Sequence, residues 1–196
     1  MWCDTSADGP ALGLHLGMAG RIVVDAAEAG DDDGRPARWD RFVLHFADGG
    51  RLVLRDKRRL GRVRLEPDLD GVGPDAATIS RDALRARVGR GSAPLKARIM
   101  DQSVLAGVGN LLADETLWRA RLSPLRPAGA LDAGELDRLR RELRAAVRSA
   151  IREGGVHTGE LIRHRRRGGH CPRCGAELRR ATVGGRTTWW CPAEQR

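Results

Sequence analysis

Three cysteines near the end of the sequence carry the most readily named chemistry. Cys171-Pro172-Arg173-Cys174-Gly175 sets two thiols three positions apart with a glycine behind them. That spacing lets a short knuckle wrap one tetrahedral ion. Cys191 offers a third sulfur. A repeat of the same spacing would put the fourth ligand at position 194, but Cys191-Pro192-Ala193-Glu194 carries a glutamate there. Glu194 can ligate zinc through oxygen, more weakly than a thiolate would. His170 competes for that place, although its adjacency to Cys171 makes the geometry awkward. The expected set is one structural Zn2+ on Cys171, Cys174, Cys191 and Glu194; a tail without metal stays open because of Glu194. Cys3 stands far away and reads as an ordinary thiol.

A second constellation lies upstream. Gly107-Val108-Gly109-Asn110 precedes a helical stretch. Glycines at a helix start expose backbone N–H groups at the positive end of the dipole, a nest for a phosphate oxygen. Asn110 can cap that helix and donate from its amide, and Lys96 adds a positive charge one helix earlier. The alternative is a tight helix corner whose glycines serve packing. Between the cysteines, Val183-Gly184-Gly185-Arg186-Thr187-Thr188-Trp189-Trp190 reads as a β-hairpin with Arg186 at its tip, a shape that can enter a DNA groove.

The charge balance agrees with a polyanionic partner. Among 196 residues, 35 are Lys or Arg against 26 Asp or Glu, a net charge of +9. Only Lys57 and Lys96 are lysines, and arginine offers forked contacts to phosphate; genomic base composition accounts for part of the bias. Nucleic acid therefore leads over an anionic membrane, because no basic amphipathic segment carries aromatic anchors. No apolar run has the length of a membrane span, and the first residues lack a secretory pattern, so a cytoplasmic protein is expected.

Positioning these residues requires three kinds of element. Residues 12–65 read as β-structure: a strand at Arg21–Asp25, then Phe42, Leu44 and Phe46 on one face, a turn at Asp48-Gly49-Gly50, and Leu52 and Leu54 on the return. Glu28–Gly34 reads as a solvated loop, and the alternation resumes at Val63 and Leu65. A Pro- and Gly-containing linker at 67–79 precedes a helical period. Ser80 caps a first helix, Pro94 opens a second, and a third follows Asn110. The longest runs from Asp132 to Glu153, with Asp132 and Glu135 as a capping box and Leu136, Leu139, Leu143, Val147, Ala150 and Ile151 as its buried stripe. The fold class is α+β: a β-structured part (1–66), a linker (67–79), a helical domain (80–156) and a small hairpin module carrying the cysteines (157–196).

In order along the chain stand His15-Leu16-Gly17-Met18-Ala19-Gly20, Asp56-Lys57-Arg58-Arg59-Leu60-Gly61, Leu95-Lys96 through Gly107-Val108-Gly109-Asn110-Leu111-Leu112-Ala113-Asp114-Glu115, and the Cys tail ending in Gln195-Arg196. Together these segments resemble the formamidopyrimidine-DNA glycosylase/endonuclease VIII family over nearly the whole chain from Leu12. The resemblance implies that 1–66 is the remnant of a partial N-terminal β-sandwich, 80–156 a helix-two-turn-helix domain and 157–196 a zinc-finger β-hairpin, with DNA held between the sandwich and the other two. It also implies a monomer that flips an oxidised base from damaged double-stranded DNA, cleaves its glycosidic bond and nicks the backbone in base-excision repair. By the same resemblance Met18 fills the vacated space, Arg58 faces the orphaned base and Leu60 wedges the stack. Arg59, Lys96, Asn110 and Arg186, with the Gly107–Gly109 turn, clamp phosphates.

The sequence departs from the family in two places. The family's nucleophile is an N-terminal proline amine beside a glutamate, which attacks the sugar and forms a Schiff base. This sequence begins Met1-Trp2-Cys3, with no Pro-Glu pair and no counterpart of the opening helix, so no catalytic residue is assigned. Either the start site is placed too late, the preferred reading since the DNA-contacting motifs are intact, or the chain is a non-catalytic binder of damaged DNA. Second, the segment from Gly155 to His170 is short, which leans toward the endonuclease VIII branch and oxidised pyrimidines. An RNA-binding zinc ribbon is disfavoured, for want of aromatic stacking platforms.

Overall fold

The structure is a computed structural model, and it describes residues 2–5, 9–17, 20–25 and 38–196. Met18 and the expected loop from Glu28 to Gly34 lie outside the described residues. The contacts divide the chain into two units, 1–69 and 70–196.

The first unit holds two three-stranded antiparallel sheets. One orders β1 (Trp2–Cys3), β2 (Leu12–His15) and β6 (Arg62–Leu65), and the other orders β3 (Arg21–Asp25), β5 (Arg51–Arg55) and β4 (Asp40–His45). The expected hairpin forms with Phe42 opposite Leu54 and Leu44 opposite Leu52. Alternation sends Leu12 and Leu14 inward on β2, while Val53 and Leu54 are buried on β5. An apolar cavity of about 460 Å³ is lined by Leu12, Val63 and Leu65 from one sheet and Phe42 and Leu44 from the other. Leu65 and Val24 are both 67% exposed, so each presents an apolar side chain at the surface of the unit.

The second unit is helical and ends in a hairpin. Its helices are α1 (Arg81–Val88), α2 (Leu95–Met100), α3 (Asn110–Arg119) and α4 (Ala133–Arg152). Ser80 accepts the Ala83 amide at the start of α1, and Asp132 and Glu135 close a reciprocal capping box at the start of α4. Leu84, Leu95, Ile99, Leu105, Leu117, Leu139 and Leu143 form a common core. The stripe on α4 differs from expectation at its end. Ala146 is buried, whereas Ile151 is 76% exposed. At about 100° per residue Ile151 turns off the Leu139–Leu143–Ala146 line and so faces away from that core. The stretch expected as a linker also contributes to this core, through Ala76 and Ile79. The tail forms β7 (Arg179–Val183) and β8 (Arg186–Trp190), joined by Gly184-Gly185. Both glycines have positive φ, +55° and +72°, as a two-residue hairpin turn requires. Trp118 of α3, Leu161, Cys171, Leu178 and Cys191 make a second, smaller core beneath the hairpin.

Candidate DNA interface and metal centre

In the first unit the residues expected to enter DNA sit on a loop organised by one carboxylate. Asp56 is fully buried at the end of β5. Its oxygens accept the amides of Arg58 at 2.9 Å, Leu60 at 2.7 Å and Gly61 at 2.7 Å. These amides, that of Gly61 foremost, hold the Asp56 carboxyl below the ordinary carboxylate range against the opposing effect of burial. The loop thereby turns outward, with Arg58, Arg59 and Leu60 all exposed. Arg59 takes φ +58°, an uncommon conformation for a residue with a side chain. Leu60, 40% exposed, is an apolar side chain presented to solvent. Gly17, φ +61°, lies against it: a Cβ there would stand 2.7 Å from Leu60 Cβ. The turn bearing Gly17 and the loop bearing Leu60 therefore share one edge of the unit.

In the second unit the turn before α3 is stitched by Gln102. Its Oε1 accepts the Gly107 amide at 3.0 Å, and its Nε2 donates to the carbonyls of Met100 and Val108, each at 3.0 Å. Gly107 has φ +89°, and Gly109 stands as the N-cap of α3. Asn110 is the first helical residue rather than the cap, and its side chain makes no capping bond. Glycine precedes it in extended geometry, so the cap position is already filled by backbone.

Lys96 departs from its expected role as a phosphate clamp. Its side chain has no accessible surface. Its Nζ lies 2.7 Å from Asp114 Oδ1, and donates to Thr188 Oγ1 at 2.7 Å and to the Thr187 carbonyl at 3.2 Å. Two oxygens of β8 thus accept from the ammonium while the Asp114 carboxylate supplies its counter-charge. Asp114 Oδ2 in turn accepts Arg165 Nε at 2.8 Å and the Trp189 amide at 3.2 Å. Burial pushes the Asp114 carboxyl up and the Lys96 ammonium down, and their mutual attraction opposes both shifts. The Thr188 hydroxyl donates to the carbonyl of Arg186 at 3.1 Å. A polar chain thus runs from α2 and α3 into the strand whose first residue is the exposed Arg186. Beside it, Glu115 accepts Arg119 Nε and the amides of Glu160 and Leu161, seating the segment that leads into the tail.

Cys171, Cys174 and Cys191 converge, with their sulfurs within 4.8 Å of one another. Cys174 Sγ is 3.4 Å from Cys191 Sγ, and the Trp118 indole N–H donates to Cys171 Sγ at 3.3 Å. Burial pushes the Cys191 thiol up to about 11. For Cys171 burial acts the same way, but the Trp118 indole and nearby amides outweigh it and bring the thiol below its ordinary value. Three sulfurs at this separation, one already served by a fixed N–H donor, fit a thiophilic divalent ion. Glu194 is outside the cluster: its Oε2 pairs with Arg173 Nη1 at 3.1 Å and Arg121 Nε at 3.3 Å. His170 is outside it too, and bridges Glu177 through the backbone.

Sequence reasoning did not single out Asp56, Gln102, Asp114, Glu115 or Arg165. For Asp56 the signal was an aspartate opening a Gly-terminated turn. For Asp114 and Glu115 it was a pair of acids inside an apolar helix stretch, where burial requires partners.

Comparison with known proteins agrees with this arrangement. The formamidopyrimidine-DNA glycosylase N-terminal domain matches residues 1–63, and the formamidopyrimidine-DNA glycosylase H2TH domain matches 71–160. The formamidopyrimidine-DNA glycosylase of Roseiflexus sp. (strain RS-1) is 38% identical over 213 residues, covering 96% of this chain and 75% of the relative. The Lactococcus lactis Fpg in complex with DNA containing an abasic site superposes with TM-score 0.76 at 25% identity, covering 96% of this chain and 76% of that one. MutM in complex with carbocyclic 8-oxo-G containing DNA gives 0.76 at 26% identity, over 97% and 76%. The short segment from Gly155 to His170 leaned toward the endonuclease VIII branch, whereas these matches carry the formamidopyrimidine name. With both domain models matched in order and a relative this similar over 96% of the chain, the chain belongs to the formamidopyrimidine-DNA glycosylase family.

Proposed function

We propose that this protein acts in base-excision repair as a DNA glycosylase/AP lyase on oxidised bases, and that these 196 residues carry its recognition of damaged duplex DNA. Family membership supports the activity. The single structural observation that carries the recognition is the Asp56-organised loop, which presents an exposed apolar Leu60 flanked by Arg58 and Arg59. A wedge between cations suits a kinked duplex with an emptied base position. In this reading Leu60 and Met18 enter the stack and Arg58 faces the unpaired base. Arg59, Arg186, Asn110 and the amides of the Gly107–Gly109 turn hold phosphates, while Lys96 supports the hairpin from within. Residues 1–66 serve as the β-sandwich part, 80–156 as the helix-two-turn-helix domain and 157–196 as the finger. The metal on Cys171, Cys174 and Cys191 is one structural zinc ion, since zinc favours thiolates and would close the tail around its small core. The protein works as a monomer on nucleoid DNA in the cytoplasm, where such lesions lie.

The test uses duplexes with one abasic site or one oxidised base, against an undamaged duplex of the same sequence. Preferential binding to the damaged duplex is expected; equal binding would overturn the recognition reading. Borohydride added to the same mixtures reports the chemistry. A covalent adduct assigns the attacking amine to this chain, and binding without an adduct leaves a recognition protein alone.

A further inference from the structure

The position where spacing calls for a fourth metal ligand is occupied by a residue with other partners. We infer that the ion is held by three protein thiolates only, and that its remaining coordination position takes an exchangeable ligand from solution: water, displaceable by a small imidazole or thiol. This inference rests on reading the cluster as a zinc site.

Three observations carry it. Among the described residues, only Cys171, Cys174 and Cys191 bring ligand atoms together here. Glu194 is clamped elsewhere: its Oε2 takes Arg173 Nη1 at 3.1 Å and Arg121 Nε at 3.3 Å. The clamp is itself anchored, because Arg173 Nη1 also donates to the Trp118 carbonyl at 3.3 Å and its guanidinium lies 4.1 Å from the centroid of the Trp118 ring. Swinging Glu194 onto the ion would strip two guanidiniums of their carboxylate and exchange charge-assisted bonds for a ligand weaker than thiolate. Finally, Cys174 is exposed while Cys171 and Cys191 are buried, so solvent reaches the triad on the Cys174 side. Three protein ligands plus one solvent molecule is a set that zinc adopts readily in open sites.

Cobalt substitution of the full chain tests this, with the visible absorption of Co(II) as readout. The wild type should show bands of three thiolates with one light donor, and added imidazole should shift them. Glu194→Ala should leave the bands in place and change metal affinity by less than about threefold, whereas loss of a true ligand would cost about tenfold or more. Glu194→Cys should raise the charge-transfer absorption to a four-thiolate level and abolish the response to imidazole. Bands that move in Glu194→Ala, or a wild type indifferent to imidazole, would overturn the inference while leaving the zinc reading intact. A chain that takes up neither zinc nor cobalt would overturn both.

Discussion

At position 56 a carboxylate gathers the amides of Arg58, Leu60 and Gly61 and so shapes the loop that presents the wedge. Because its folded pKa lies below the ordinary 3.8, its contribution is complete above that value and is lost as pH falls through the lower folded value. Binding to an abasic duplex should accordingly hold at mildly acidic pH and fall only below about pH 4. Asp56→Asn offers one oxygen where the loop needs two, and turns an N–H toward amides that are themselves donors. Its affinity at neutral pH should drop by about tenfold, the scale of one lost charge-assisted hydrogen bond, and should lose the acid-side transition. Titration of binding against pH for both proteins checks this. An Asp56→Asn protein that binds like the wild type would remove Asp56 from the positioning role. The exposed ends of this loop were legible as motif residues. Asp56 stood in the same motif, but its organising role was not legible, because an aspartate in a turn looks alike whether it faces water or buried amides.

Helices and strands meet at Asp114. Its carboxylate receives Lys96 from α2, Arg165 from the segment before the tail, and the backbone of Trp189 in β8. Taking it away leaves the fully buried Lys96 and the partly buried Arg165 with no counter-charge. Asp114→Ala should destabilise the second unit by about 3–5 kcal/mol, seen as a lowered urea midpoint at unchanged slope. The capping box of α4 works on a smaller scale. Asp132→Ala forfeits the bond to the Glu135 amide and should cost about 1 kcal/mol, a few degrees in thermal midpoint. If the two variants proved equally mild, Asp114 would be an ordinary surface acid in solution. The α4 cap was plain in the sequence, since both of its partners lie within one turn. The Asp114 network joins residues tens of positions apart and could not be read from spacing.

Across the whole molecule, the +9 charge predicts binding that weakens with added salt in a log–log line. Residues that touch phosphate lower the slope when removed, and residues that only support them do not. Arg186→Ala should therefore reduce the slope by about one. Lys96→Met, whose ammonium is already enclosed by Asp114, Thr187 and Thr188, should lower stability and leave the slope as it was. Measuring affinity at several salt concentrations separates the two. A slope change in Lys96→Met equal to that of Arg186→Ala would return Lys96 to the phosphate-clamping role.

Much of this protein is written locally. Alternation in β2 to β6, helix caps at Ser80 and Asp132, the Gly184-Gly185 turn and the cysteine spacing all arise from neighbours in the chain, so the α+β class, the hairpin and the candidate metal site were readable from residue types alone. The motif order carried the family. Tertiary structure decided what each polar side chain meets. It turned Lys96 inward, drew Glu194 to Arg121 and Arg173, left Ile151 in solvent and gave Asp56 its three amides. The physical reason is that hydrogen bonds and ion pairs act over a few ångströms in space, without regard to distance along the chain, and burial sets their worth.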